Sequence, residues 1–290
     1  MTTPIETTTI ETTTIEATTI EASTIETSAT TAPDRYEELG VVHVRGLLPA
    51  EEVAAIRTAF MRQVEADRSL AHDDHVAADD VLSRYPRFVH PHRLTGTEIG
   101  RISRRLMLDR RIWDVVESLI GPALAAQSMF YFKPPTARGQ ALHQDNAFLQ
   151  AHPETCLAAW IAVDDCDAGN GALRVVPGSH RIQLLCLEPA DETLSFTSAQ
   201  VPVPGDVEIL QTEMRAGDVL FFHGSLVHGS HPNTSTDRFR RSLIFHYVPR
   251  ASQEIAAFYD PLLTADGQEV SIAAAADGGA CGDGWVGGPH

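Results

Sequence analysis

The chain has 290 residues, 39 acidic against 22 basic, giving a net charge of −17 and a pI near 5.1. Such a surface repels phosphate backbones and anionic headgroups, so neither nucleic acid nor a membrane surface is an expected partner. No apolar run approaches the roughly 18 residues of a spanning helix, and the 43% hydrophobic content suits one large folded domain. Cys156, Cys166, Cys186 and Cys281 form no CxxC pair and no regular framework, so neither a structural zinc site nor a disulfide scaffold is expected. A reducing cytoplasm is then the natural compartment.

In chain order, residues 1–33 come first: Ile recurs at 5, 10, 15, 20 and 25, each followed by Glu, in a background of Thr. A period of five matches neither 3.6 nor 2, so the isoleucines cannot line one face of a helix or strand. The segment is expected to be a disordered tail without the character of a signal or transit peptide, and deleting it should leave activity and melting temperature nearly unchanged. Residues 34–290 read as a single domain, mostly helical over 34–122 and strand-rich over 123–250. Residues 41–44 alternate weakly, and Pro49 opens a helical pattern carried by Val53, Ile56, Phe60 and Val64. A second helix is predicted over Thr97–Leu119, stopping at Gly121-Pro122, with Ile102, Leu106, Trp113, Val116 and Ile120 buried. Between them, residues 69–95 form a polar loop or lid holding His72, His75, His90 and His92. Within it, Arg87, His90, His92 and Arg93 are the first candidates to orient an acidic substrate.

After residue 122 the rhythm is that of strands, at 125–132, 156–163, 172–176, 218–223 and 241–248, separated by Gly, Pro and Asp clusters. This predicts an antiparallel sandwich or barrel with helices on its N-terminal side. Two clusters within it carry chemistry. In Leu142-His143-Gln144-Asp145-Asn146, an imidazole and a carboxylate two residues apart project to one side of extended backbone and can share a cation. In Phe222-His223-Gly224-Ser225-Leu226-Val227-His228-Gly229-Ser230, His223 and His228 compete to supply a second imidazole; five residues apart, they fall on opposite faces of any continuous strand. Two His and one carboxylate on one face of a metal is the arrangement of non-haem Fe(II) oxygenases. Further on, Arg238-Phe239-Arg240-Arg241-Ser242-Leu243-Ile244-Phe245-His246 offers an arginine able to clamp a carboxylate, although Arg240, Ser242 and His246 also read simply as a wet strand face.

Taken together, Lys133-Pro134-Pro135, Leu142-His143-Gln144-Asp145, Ala159-Trp160, Asn170-Gly171-Ala172-Leu173, Val176-Pro177-Gly178-Ser179-His180, Gly217-Asp218, His228-Gly229-Ser230 and Phe239-Arg240-Arg241 resemble the phytanoyl-CoA dioxygenase (PhyH) family of Fe(II)/2-oxoglutarate oxygenases, in order over about residues 36–250. The resemblance implies a mainly β fold, a double-stranded β-helix or cupin-like jelly roll packed by the N-terminal helices. It assigns iron to His143, Asp145 and His228, the distal carboxylate of 2-oxoglutarate to Arg240, and further contacts with that cosubstrate to Met129, Gln144, Trp160 and Ser230. O2 is the second cosubstrate. The interval from His228 to Arg240 is one residue longer than is usual in the family, which places an extra residue in the Asn233–Asp237 loop and leaves Arg241 as the lesser candidate.

What the resemblance implies is a dioxygenase, hydroxylating an unactivated C–H bond of a small biosynthetic substrate: a secondary metabolite, an amino-acid-like molecule or an acyl compound. Asp145 weighs against a halogenase, whose relatives lack the carboxylate; desaturation, epimerisation and ring formation use the same triad. The other class of function is a cupin-like metal-binding isomerase or sensor that does not use 2-oxoglutarate and has no need of Arg240.

Overall fold

The computed structural model describes residues 25–27, 32–71, 76–153, 155–275 and 281–282; residues 1–24 of the pentad tail, and His72 and His75 of the predicted lid, lie outside them. The first half supplies helices α1 (Ala32–Leu39), α2 (Ala50–Ala66), α3 (Glu98–Met107) and α4 (Arg110–Ile120), with short strands β1 (Val41–Val44) and β2 (Phe88–Val89) between them. Pro49 precedes α2 as expected, with Glu51 and Glu52 in the first turn where the helix dipole favours them, and Val53, Ile56, Phe60 and Val64 are buried. The single helix predicted over Thr97–Leu119 is two. Leu108 leaves the helical region, and the Asp109 carboxylate accepts from the Arg111 backbone N–H at 3.0 Å, capping a new helix at the point where periodicity alone would have run on.

The second half is antiparallel: β3 (Ala123–Lys133), β4 (Gln140–His143), β5 (Leu157–Ala162), β6 (Leu173–Val175), β7 (Leu210–Gln211), β8 (Val219–His223), β9 (His228–Ser230), β10 (Arg240–Pro249), β11 (Leu262–Leu263) and β12 (Glu269–Val270). An eight-stranded sheet runs β1-β8-β5-β10-β3-β11-β12 with β2 beside β3, and a four-stranded sheet runs β4-β9-β6-β7. This is the jelly-roll arrangement expected. The five predicted strands correspond to β3, β5, β6, β8 and β10, because period-2 burial leaves a clear mark in sequence.

Alternation along the large sheet creates two cores. Phe130, Phe132, Ile161, Phe221, Leu243, Phe245 and Tyr247 face outward and pack against the helices, with Phe60 of α2 stacked on Phe130 at 3.8 Å between ring centroids. The opposite face bears Trp160, Leu220, Phe222 and Ile244 and packs toward the small sheet, against Leu173 and Val175. Register aligns Lys133, Met129 and Gln127 of β3 with Arg240, Ile244 and His246 of β10. The polar members of β10 therefore point into the space between the sheets.

Two sequence expectations change here. The tail does not end its engagement at residue 33: Ala32 and Pro33 begin α1, and Ile25 is 1% exposed within the inter-sheet core. Glu26 forms a parallel bridge with His43 and an ion pair with Arg45, and the Thr27 N–H donates to the His43 carbonyl at 3.0 Å. One isoleucine of the repeat thus finds a hydrophobic slot. Ile25→Ala should cost about 2–4 kcal/mol of stability, checked by urea unfolding; an unchanged midpoint would show that the slot contributes nothing. The second change concerns the cysteines. Cys186 and Cys281 form a disulfide across 95 residues of sequence, while Cys156 and Cys166 are buried thiols. A pair so far apart leaves no spacing signature, and its presence removes the cysteine argument for a reducing compartment. No helix among the described residues is long and apolar enough to cross a membrane.

Candidate active site

The His-x-Asp segment lies where β4 ends. His143 is the last residue of the strand, and Asp145 already has helical dihedrals, φ −61° and ψ −34°, because it leads into a turn of helix over Asn146–Leu149. The two side chains meet through this change of direction and not through continuous extension. On the neighbouring strand β9, register sets His228 directly opposite His143, with ring centroids 4.2 Å apart. Nε2 of His143 and Nε2 of His228 lie 3.5 Å and 3.7 Å from Oδ1 of Asp145, and one ligand atom from each residue falls within 4.8 Å of the others. All three side chains are buried.

Second contacts prepare these atoms for a cation. Nδ1 of His143 is 2.8 Å from the Ala141 carbonyl and Nδ1 of His228 is 3.0 Å from the Leu226 carbonyl. A carbonyl only accepts, so each Nδ1 carries the proton and each Nε2 presents a lone pair to the site. Burial, with His143 beside it, pushes His228 down to about 4, so the imidazole is neutral at neutral pH. Burial alone would raise the Asp145 carboxyl, but His228 and His246 beside it, with hydrogen bonds from His143 and His246, hold it well below the usual carboxylate range. Two imidazoles turned with Nε2 inward and an ionised carboxylate, converging from one side, fit a divalent metal with open positions opposite.

Those open positions face a cavity of about 350 Å³ whose walls include His143, Asp145, His228, Met129, Trp160, Lys133 and Arg240. Arg240 is 5% exposed; its Nε donates to the Gly171 carbonyl at 3.2 Å, Nη1 lies 3.1 Å from Ser242 Oγ, and the guanidinium stands 5.5 Å over the Trp160 ring. Arg241, pointing the other way, holds Asp164 through two bonds of 2.7 and 2.8 Å. Met129 and Trp160 line the cavity. Ser230 is not in its wall; its hydroxyl accepts from Lys133 Nζ at 2.7 Å and from the Gln140 N–H at 3.3 Å. Gln144 corrects the expectation. Alternation turns it away from His143, and its amide accepts from the Leu185 N–H and donates to the Ser225 and Gln183 carbonyls, so it braces the metal-binding segment from behind and does not reach the cavity.

His223 also falls outside the triad. Its ring sits near Tyr36 and His180, at centroid distances of 6.0 and 5.3 Å, on the far side of the turn. Of the four lid residues proposed for substrate, only Arg87 lines the cavity. Arg93 donates to the Tyr259 carbonyl at 2.7 Å, and His90 stacks on Phe258 at 4.7 Å. His92 is 2% exposed and bonded to Ser128 Oγ at 2.7 Å; burial, with Arg93 and Arg104 nearby, pushes it down to about 3, so it is not a cation at neutral pH. Its depressed pKa has a stability consequence. The unfolded chain protonates this imidazole near 6.5 while the folded chain resists, so stability should fall as pH drops from about 6.5 toward 3, by about 1.4 kcal/mol per pH unit for this proton. Urea unfolding between those limits should show a shallower slope in His92→Gln, by about one proton.

Two residues were missed in the sequence. His246, for which alternation left a wet strand face as one open alternative, is 4% exposed and its Nε2 lies 3.1 Å from Oδ2 of Asp145, the oxygen turned away from the two histidines. Lys133, the only lysine in the chain, is buried with its ammonium on the Gly171 carbonyl, the His231 carbonyl and Ser230 Oγ. Burial, then Arg240 across the register, push it well below the usual lysine range. That lone occurrence was the available signal.

Known proteins resemble this chain in sequence and in fold. Phytanoyl-CoA dioxygenase domain-containing protein 1 of Bos taurus is 34% identical over 260 residues, covering 75% of this chain and 89% of that protein. Phytanoyl-CoA dioxygenase 1 of Oryza sativa subsp. japonica is 35% identical over 123 residues, and the match spans only 43% of that relative's length. Among solved structures, the epimerase SnoN in complex with Fe3+, alpha ketoglutarate and nogalamycin RO superposes with a TM-score of 0.62 at 24% identity, over 85% of this chain and 94% of that one, a likeness of fold. The sequence profile of the phytanoyl-CoA dioxygenase (PhyH) family matches residues 36–242, most of the chain, which therefore belongs to that family.

Proposed function

We propose that this member of a family of iron- and 2-oxoglutarate-dependent oxygenases hydroxylates an unactivated C–H bond of a small biosynthetic molecule. The observation that carries the reading is one cavity holding both the His143–Asp145–His228 triad and the buried guanidinium of Arg240. Iron with 2-oxoglutarate and O2 supplies the oxidising power. Every other task falls to this chain's own groups. His143, Asp145 and His228 would hold the metal, with His246 fixing the free oxygen of the carboxylate so that Asp145 presents one oxygen inward. Arg240 would receive the distal carboxylate of 2-oxoglutarate, held over Trp160 so that its fork is already oriented. Leu173, Phe222 and Ile244 around it keep bulk water from the reacting centre.

A carboxylate in the third ligand position supports an oxygenase over a halogenase. Against the alternative of a cupin-like isomerase or sensor stands Arg240, buried and facing the cavity, its side-chain hydrogen bonds among the described residues going to the Gly171 carbonyl and the Ser242 hydroxyl and to no carboxylate. Incubating the full chain with Fe(II), 2-oxoglutarate and O2 should yield iron-dependent succinate, and a panel of small molecules screened by mass spectrometry should yield a product heavier by one oxygen atom. Absence of iron-dependent 2-oxoglutarate consumption would overturn the reading in favour of the alternative.

A further inference from the structure

The cavity contains a polar group that no described residue satisfies. Gln127 lies on β3 opposite His246 and is 4% exposed, yet its carboxamide has no hydrogen-bond partner among the described residues and opens into the cavity. An amide so buried strongly favours an occupant that pairs with it once water is displaced. Toward the mouth the wall is aromatic. Four large hydrophobic side chains are conspicuously exposed among the described residues, and two of them, Phe148 at 52% and Phe258 at 54%, belong to this cavity. Phe258 is held flat by stacking on His90, and Phe148 stands 6.2 Å from the His143 ring, next to the metal position. Among the described residues Asp145 is the only carboxylate in the wall, so an ammonium-bearing substrate would find no carboxylate partner there apart from the metal ligand itself.

Resting on the oxygenase reading above, we propose that the substrate is a flat ring compound without an ammonium group, carrying a hydroxyl or carbonyl oxygen, with the ring against Phe148 and Phe258 and the oxygen bonded to Gln127. Gln127 is the residue that selects for that oxygen. A site built around a buried amide discriminates against an analogue lacking the matching group, because the amide is then left unpaired.

Equilibrium dialysis of the full chain against 2-naphthol and 2-methylnaphthalene tests this, with Fe(II) and 2-oxoglutarate supplied under argon and again with both omitted. The expected result is a preference of about tenfold or more for 2-naphthol, lost in Gln127→Leu, a substitution of similar volume. Phe258→Ala, at an exposed position that the fold does not need, should weaken both probes together. Equal binding of the two probes, or a preference that survives in Gln127→Leu, overturns the role of Gln127. Failure of 2-naphthol to bind overturns the substrate class. Because this measurement needs no turnover, it can fail while iron-dependent succinate formation persists, which separates it from failure of the oxygenase reading.

Discussion

Alanine at His143, Asp145 or His228 abolishes iron-dependent succinate formation, whereas alanine at His223 leaves most of it. Three ligand atoms lie within 4.8 Å of one another, no fourth His, Cys, Asp or Glu among the described residues joins them to compensate when one is removed, and the facial geometry goes with it. His223 packs beside Tyr36 and His180, away from these atoms, so its loss touches the turn and not the metal. His246→Ala is the graded case. Oδ2 of Asp145 loses its partner while all three ligands stay, and iron affinity should fall roughly 10- to 100-fold. Anaerobic Fe(II) titration of the five variants decides the assignment: normal binding in His228→Ala with loss in His223→Ala would reverse it.

The second large effect lies at Arg240. Hydrogen bonds to charged groups contribute on the order of 1.5–3 kcal/mol, so Arg240→Ala should raise the 2-oxoglutarate concentration needed for half-maximal succinate formation by roughly 10- to 100-fold or more. Arg240→Lys keeps a charge but loses the planar fork and should recover only part of this. Iron affinity stays near normal in both. Arg241→Ala should show the opposite profile, with near-normal use of 2-oxoglutarate but stability lower by about 1–3 kcal/mol, because Asp164 loses two bonds in a half-buried position. A large cosubstrate defect at Arg241 with none at Arg240 would mean that the register of β10 is shifted by one residue.

How much of this was legible in the sequence follows from the range of each interaction. The long strands were, because alternation is a local property and β3, β5 and β10 each repeat it several times. The clusters around His143 and His228 were, because a strand ending in His beside small residues is a local pattern too. What failed were properties set by distant chain. Whether the polar face of Arg240, Ser242 and His246 meets water or a second sheet depends on β4 and β9, so the hydrogen bond from His246 to Asp145 was invisible. Gln144 has the same neighbours in sequence as His143 and Asp145, yet strand alternation sends it to the Leu185 and Ser225 backbones. His92 looked like a cation because its segment is polar, and only its burial under α3 and β3 makes it neutral.

The bond between Cys186 and Cys281 turns the intervening chain into a covalent ring, and β8, β9 and β10 all lie on it. The ring therefore carries His228, Arg240 and His246, while His143 and Asp145 sit on the open strand outside. A protease that nicks any exposed loop of the ring leaves the molecule in one piece until reductant is added. The two fragments should separate on a denaturing gel only after thiol treatment.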